Sequence, residues 1–127
     1  MPSEPLGILL ISGEHERVHY AFVVAAGAAA LGRRVVVFAT NAGCRGLLAD
    51  WSGAVDASRD KRVRAAGVAG LDELRDATQE LGVQLIACEA GLRIEGLTEA
   101  QLLPRVEVAG IATFLSAIGP LGQIMTL

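Results

Sequence analysis

Aromatic side chains are scarce: one Trp, one Tyr and three Phe make up 4% of a 127-residue chain that is 52% hydrophobic. The core must therefore be built from Ala, Val, Leu and Ile, and stacking platforms for bases or sugars are few. Cysteine is rarer still. Cys44 and Cys88 are the only two, which excludes a disulfide framework and fits thiols kept reduced in the cytoplasm, the expected location. Long apolar runs are missing as well. The longest uncharged one, "YAFVVAAGAAALG" from Tyr20 to Gly32, falls short of the roughly 20 residues that cross a bilayer and reads as a buried helix, so no membrane span is expected. Basic charge is not in excess, with 11 Lys and Arg against 14 Asp and Glu, so the electrostatic footprint of a nucleic-acid binder is absent. The locally basic "SRDKRVR" (Ser58 to Arg64) reads as a solvated loop. Neither a phosphate-binding loop with its lysine nor a dinucleotide fingerprint follows the first strand, which disfavours nucleotide chemistry.

What is present is an alternation of short apolar runs with longer helical ones, the signature of an α/β layered fold. "LGILLIS" (Leu6 to Ser12) is continuously apolar, as a strand covered on both faces would be. The polar "GEHER" follows as a loop, and an alanine-rich helix runs from about Val18 to Leu31, closed by Gly32. "RRVVVFAT" (Arg33 to Thr40) is a second strand, dense in β-branched residues. "NAGCRGLLADW" (Asn41 to Trp51) reads as a loop entering a short helix, and Ser52 to Gly70, rich in small and charged residues, as a mobile excursion. "LDELRDATQEL" places Leu71, Leu74, Thr78 and Leu81 on one helical face, and Gly82 ends the helix. "VQLIA" (Val83 to Ala87) is a third strand and "VEVAG" a short fourth. "TEAQLLP" forms a short helix capped by Thr98 with Gln101 three places on. "IATFLSAIG" is helical in period, and "GQIMTL" closes the chain as a fifth strand. No linker or repeat divides residues 1–127, which read as one domain.

This pattern puts Cys88 at the carboxyl end of the third strand, where open α/β sheets collect their ligands. A thiolate there is a nucleophile, favoured by nearby amides or cations such as Arg93 and Arg45 and opposed by Glu89. The other reading of Cys88 is a packed core thiol. Cys44 follows the second strand in "TNAGCRG", at the same sheet edge if the strands are parallel, so the two thiols could form a redox or relay pair. His15 and His19 in "GEHERVHY" are spaced i, i+4, but no cysteine or acid clearly completes a metal-ligand set, so no metal is expected. They read as exposed residues at a helix start, with His15 alternatively bordering the Cys88 pocket as an acid or base.

The stretch "LGVQLIACEAGLRIEGLTEAQLLPRVEVAGIATFLSAIG", preceded by a βαβ unit containing "LGRRVVVFAT", resembles the DsrE/DsrF-like family, the small sulfur-relay proteins related to the DsrEFH and TusBCD complexes. The resemblance implies a three-layer α/β/α domain with a mainly parallel sheet of about five strands. It also implies a persulfide-carrying cysteine at the position of Cys88, and hence sulfurtransferase chemistry without a cofactor. Sulfur donor and acceptor proteins, and assembly as a homo-oligomer (trimer or hexamer), are the partners it implies. The apolar helix from Tyr20 to Leu31, which needs cover on more than one side, agrees with such assembly. Cys44 departs from the family pattern. Two other readings stand beside the carrier: a non-catalytic ligand-binding or assembly subunit that buries Cys88, and a peroxiredoxin-like thiol redox protein using Cys44 with Cys88.

Overall fold

Continuously apolar, β-branched strands need cover on both faces, and this chain supplies it by winding helices around a parallel sheet. The computed structural model describes residues 4–127. The strands are β1 (Leu6–Leu10), β2 (Val35–Ala39), β3 (Gln84–Cys88), β4 (Glu107–Ala109) and β5 (Gln123–Thr126). The helices are α1 (His15–Ala30), α2 (Arg59–Ala65), α3 (Leu71–Glu80), α4 (Glu89–Ile94) and α5 (Ile111–Ile118), with 3-10 turns at Asn41–Leu47 and Glu99–Gln101. The five strands lie in the order β4-β3-β2-β1-β5 and every pairing is parallel.

Handedness explains the layers. Steps from β1 to β2, β3 and β4 all run in one direction, so right-handed crossovers put their helices on one face. The return from β4 to β5 runs the other way and puts α5 on the opposite face. Accordingly Val18, Phe22 and Leu71 of α1 and α3 pack on Ile8, Leu10, Val37 and Leu85. Phe114 and Ile118 of α5 pack on Val36, Phe38 and Ile86. The Phe38 and Phe114 rings stack with centroids 5.1 Å apart. Gly7 makes that seat: a Cβ there would lie 2.7 Å from the Phe114 ring. The architecture is the three-layer α/β/α expected.

Several local expectations are borne out. Gly32 and Gly82 close α1 and α3 in the left-handed conformation, at φ 88° and 81°. The Thr98 amide donates to Gln101 Oε1 at 2.9 Å, the reach-back half of the expected cap.

Three expectations are corrected. The stretch Ser52 to Gly70 is not a loose excursion: it contains α2, pinned by Asp60, which is only 4% exposed. Asp60 Oδ1 lies 2.8 Å from His15 Nε2 and accepts the Leu71 amide at 2.9 Å, while Oδ2 takes Arg64 Nε at 3.2 Å. Burial pushes this carboxyl up, but His15, the Leu71 amide and Arg64 outweigh it and hold it below the usual carboxylate range. The histidines, expected at the surface, are buried for the same reason. His15 belongs to α1, which starts three residues earlier than read; its ring is stacked 5.5 Å from that of His19, whose Nε2 sits 2.9 Å from the Ala69 carbonyl. The inner face of α3 is corrected too: Leu81 is exposed and Arg75 is buried in its stead. The Arg75 guanidinium donates to the carbonyls of Gly46 at 3.1 Å, Leu48, and Ala49 at 3.3 Å. It thereby fastens the turn that carries Cys44 to α3.

Asp60→Ala would leave His15 buried with neither ring nitrogen partnered, since Nδ1 already has no hydrogen-bond partner among the described residues. Urea unfolding at neutral pH should show a loss of about 3 kcal/mol, the scale for breaking a buried pair. A loss comparable to that of an exposed alanine substitution would mean that Asp60 does not hold the segment.

Candidate functional site at the end of strand β3

Because the strands are parallel, their carboxyl ends meet at one edge, and both cysteines stand there. Cys88 is the last residue of β3 and also the cap of α4: its Sγ accepts the Gly91 amide at 3.4 Å. Helix α4 follows at once, and the cysteine itself provides the cap that starts it. Gly91 lets α4 come this close. A Cβ at that position would lie 2.5 Å from the Asn41 amide nitrogen and 2.9 Å from Thr40 Oγ1. The sulfur-bearing end of β3 is thus packed directly against the end of β2.

The two thiols belong to different packing clusters. Cys88 follows Ile86 on the face covered by α5, and joins the cluster of Phe38, Phe114 and Ile118 with 9% of its surface exposed. Cys44 belongs to the other cluster, beneath α1, with no exposed surface, and its Sγ–H donates to the Ala39 carbonyl at 3.5 Å. The edge expected to hold both does hold both, yet they point into opposite layers. Both are free thiols. The side chains fall in different packing clusters, while the backbone N–H of Cys88 faces the Cys44 sulfur.

Burial raises the Cys44 thiol from 9.0 to about 11; the adjacent charge of Cys88 adds to this and the Cys88 backbone N–H works against it. Cys44 is accordingly a protonated thiol at neutral pH, unsuited to attack. The cations nominated from sequence are both tied up. Arg93 pairs with Glu89 at 3.0 Å and Arg45 with Glu95 at 3.7 Å. The polar donor at the Cys88 sulfur is therefore a backbone amide rather than a side-chain charge. Gly91 and Thr40 went unnoticed in the sequence, although a glycine three residues after a strand-end cysteine is the available signal that something packs closely there. His15 is enclosed by Asp60, His19 and Trp51 and is used structurally, so it does not serve the thiol as an exposed acid or base.

Residues 48–120, a span that holds β3, Cys88 and α5, match the family described as DsrE/DsrF/DrsH-like. The chain belongs to that family. Among curated proteins, it is 26% identical over 151 aligned residues to the sulfur carrier protein DsrE2 of Allochromatium vinosum, covering 94% of this chain and 95% of that one. It is 28% identical to the uncharacterized protein YrkE of Bacillus subtilis, over 86% and 88% of the two chains. Among solved structures, MTH1491 of Methanobacterium thermoautotrophicum, a protein of unknown function, superposes with a TM-score of 0.71 at 18% identity, covering 98% of this chain and all of that one. The ychN protein of E. coli gives 0.72 at 11% identity with the same coverage. These two likenesses concern the fold, a DsrE-like sheet with both faces covered. The family match begins at residue 48 and so includes Cys88 but not Cys44.

The Cys44 shift has a measurable consequence. The folded thiol keeps its proton up to about 11, whereas the unfolded thiol loses it near 9.0. The stability this group contributes is therefore full below about pH 9 and is lost as pH rises towards 11, on the order of 3 kcal/mol in all. Chemical denaturation at pH 7.5, 9 and 10.5 should show this decline in the wild type and a weaker one in Cys44→Ala. Parallel curves for the two proteins would mean that Cys44 ionises as freely as in the unfolded chain.

Proposed function

We propose that this protein is a sulfur carrier in which Cys88 holds sulfane sulfur as a persulfide between a donor and an acceptor protein in the reducing cytoplasm. The observation that carries the proposal is the Cys88 sulfur at a strand end, capped by the Gly91 amide at 3.4 Å, in a residue 9% exposed where Cys44 has no exposed surface. Family membership and the likeness to a sulfur carrier protein support the same reading.

The chemistry is a balanced exchange. The Cys88 thiolate attacks the outer sulfur of a donor persulfide; a new S–S bond forms on Cys88, the donor S–S bond breaks, and the donor leaves as a thiolate. In the second half the acceptor thiolate attacks the outer sulfur on Cys88, which leaves as a thiolate in turn. Sulfane sulfur is passed on without net oxidation, so no cofactor takes part. At each stage charge resides on or next to the Cys88 sulfur, to which the Gly91 N–H can donate a hydrogen bond. The adjoining layer, Phe114 and Ile118, limits water at the inner side of the sulfur.

Self-association accompanies this reading. Leu6, Val24, Ala28, Leu31, Ile124 and Met125, together with the polar Arg33 and Gln123, line a groove of about 460 Å³ between α1 and the edge strand β5. All four residues of β5 are exposed, and β5 has a strand partner on one side only. An open apolar edge of this kind asks for a covering partner, and the homo-oligomer, trimer or hexamer, provides it.

Intact-mass measurement after incubation with a persulfide donor should show a one-sulfur adduct on the wild type and on Cys44→Ser, and none on Cys88→Ser. Absence of the adduct from the wild type would favour the non-catalytic assembly subunit. Light scattering after size exclusion should report a mass several times 13.2 kDa for the wild type and a smaller species for Met125→Asp; a wild-type monomer would remove the assembly reading while leaving the sulfur chemistry to its own test.

A further inference from the structure

Helix α2 concentrates positive charge in a chain whose net charge is −3: Arg59, Lys61, Arg62 and Arg64 stand against the single acid Asp60. The helix divides these residues between two faces. Asp60 turns inward to the His15 pin, and Arg64, itself exposed, reaches its Oδ2. Arg59, Arg62, Val63 and Ala66, spaced i, i+3, i+4 and i+7, line a groove of about 320 Å³ against Tyr20 of α1 and Val68. Its apolar part is open, with Tyr20 57% and Val68 50% exposed. Arg62 and Lys61 make no ion pair among the described residues, whereas Arg59 reaches Glu16 at 3.1 Å. The groove is remote in role from the thiol: none of its residues belongs to the Cys88 cluster.

We propose that this groove docks an acidic segment of a partner protein, one apolar side chain of which seats between Tyr20, Val63 and Val68 while neighbouring carboxylates meet Arg59 and Arg62. Charge complementarity selects the occupant. The rest of the chain is more acidic than its net charge, so an acidic segment is repelled elsewhere and steered to this helix. A small anion is a poorer match, because buried, converging donors are lacking: the His19 Nε2 at the groove is already engaged with Ala69 and Arg59 with Glu16. An extended segment gains from exposed cations spread along the helix together with an apolar anchor, the combination of a polar rim around an apolar centre. Arg62 and Val68 carry the interaction.

The probe is a set of fluorescein-labelled twelve-residue peptides rich in Asp and Glu with one central Leu or Phe, read by anisotropy against the full-length protein. Lysine-rich counterparts and phosphatidylcholine vesicles containing one-quarter phosphatidylserine serve as comparisons. At least one acidic peptide should bind the wild type, with affinity falling as salt rises. Arg62→Glu should weaken that binding by about fivefold or more, the scale of an exposed charge contact, and Val68→Ser should weaken it while retaining the salt dependence. Equal binding by wild type and Arg62→Glu, equal binding of the lysine peptides, or no binding of any acidic peptide would overturn the proposal. Vesicle binding lost in Arg62→Glu without peptide binding would overturn it in favour of an anionic lipid surface. Persulfide loading of Cys88 is measured separately and should be the same in both variants.

Discussion

Parallel pairing is the constraint on which the rest of this structure depends. It sends every strand's carboxyl end to one edge, and it leaves two apolar faces that only crossover helices can cover. The edge collects Cys88, the turn bearing Cys44 and the close packing of Gly91 on Thr40 and Asn41. The faces are covered unequally: α1 and α3 share one, and α5 alone lies on the other. The chain's two thiols differ in character because they fall on different sides of this division. One is sealed beneath α1 and keeps its proton, and the other sits at the edge of the thinner layer.

Backbone geometry, rather than a constellation of charged side chains, equips the Cys88 position. The sulfur is both the end of a strand and the beginning of a helix, and the hydrogen bond that starts α4 is the one that reaches the sulfur. The supporting parts lie outside this hydrogen bond. Arg75 gathers the carbonyls of Gly46, Leu48 and Ala49, and Asp60 ties α2 to α1 and to the first residue of α3. Polar side chains here act as fasteners for loops that the small apolar core cannot hold by packing alone.

Legibility in the sequence followed the range of the interactions. Strands such as Val35–Ala39, the closing glycines at 32 and 82, and the Thr98 cap depend on near neighbours, and all were readable. The position of Cys88 at a strand end was readable for the same reason. The order of Ser52 to Gly70 was not, because its decisive contact joins Asp60 to His15, 45 residues earlier. Arg75 was hidden similarly: its place on α3 looks solvent-facing until the carbonyls it serves are brought up against it. The assignment of the cysteines to opposite layers needs strand register and crossover hand, and neither is written in a single strand.

The position of β5 bears on how the chain reaches this form. The first four strands can assemble by laying each new one beside its predecessor, but β5 pairs with β1, aligning Gln123 with Leu6. That pairing closes almost the whole chain into one loop, and α5 travels with it. The layer over Cys88 thus waits on a pairing between strands far apart in the chain. Until α5 and β5 dock, the thiol has no roof, and an oxidant can reach that sulfur before the fold covers it.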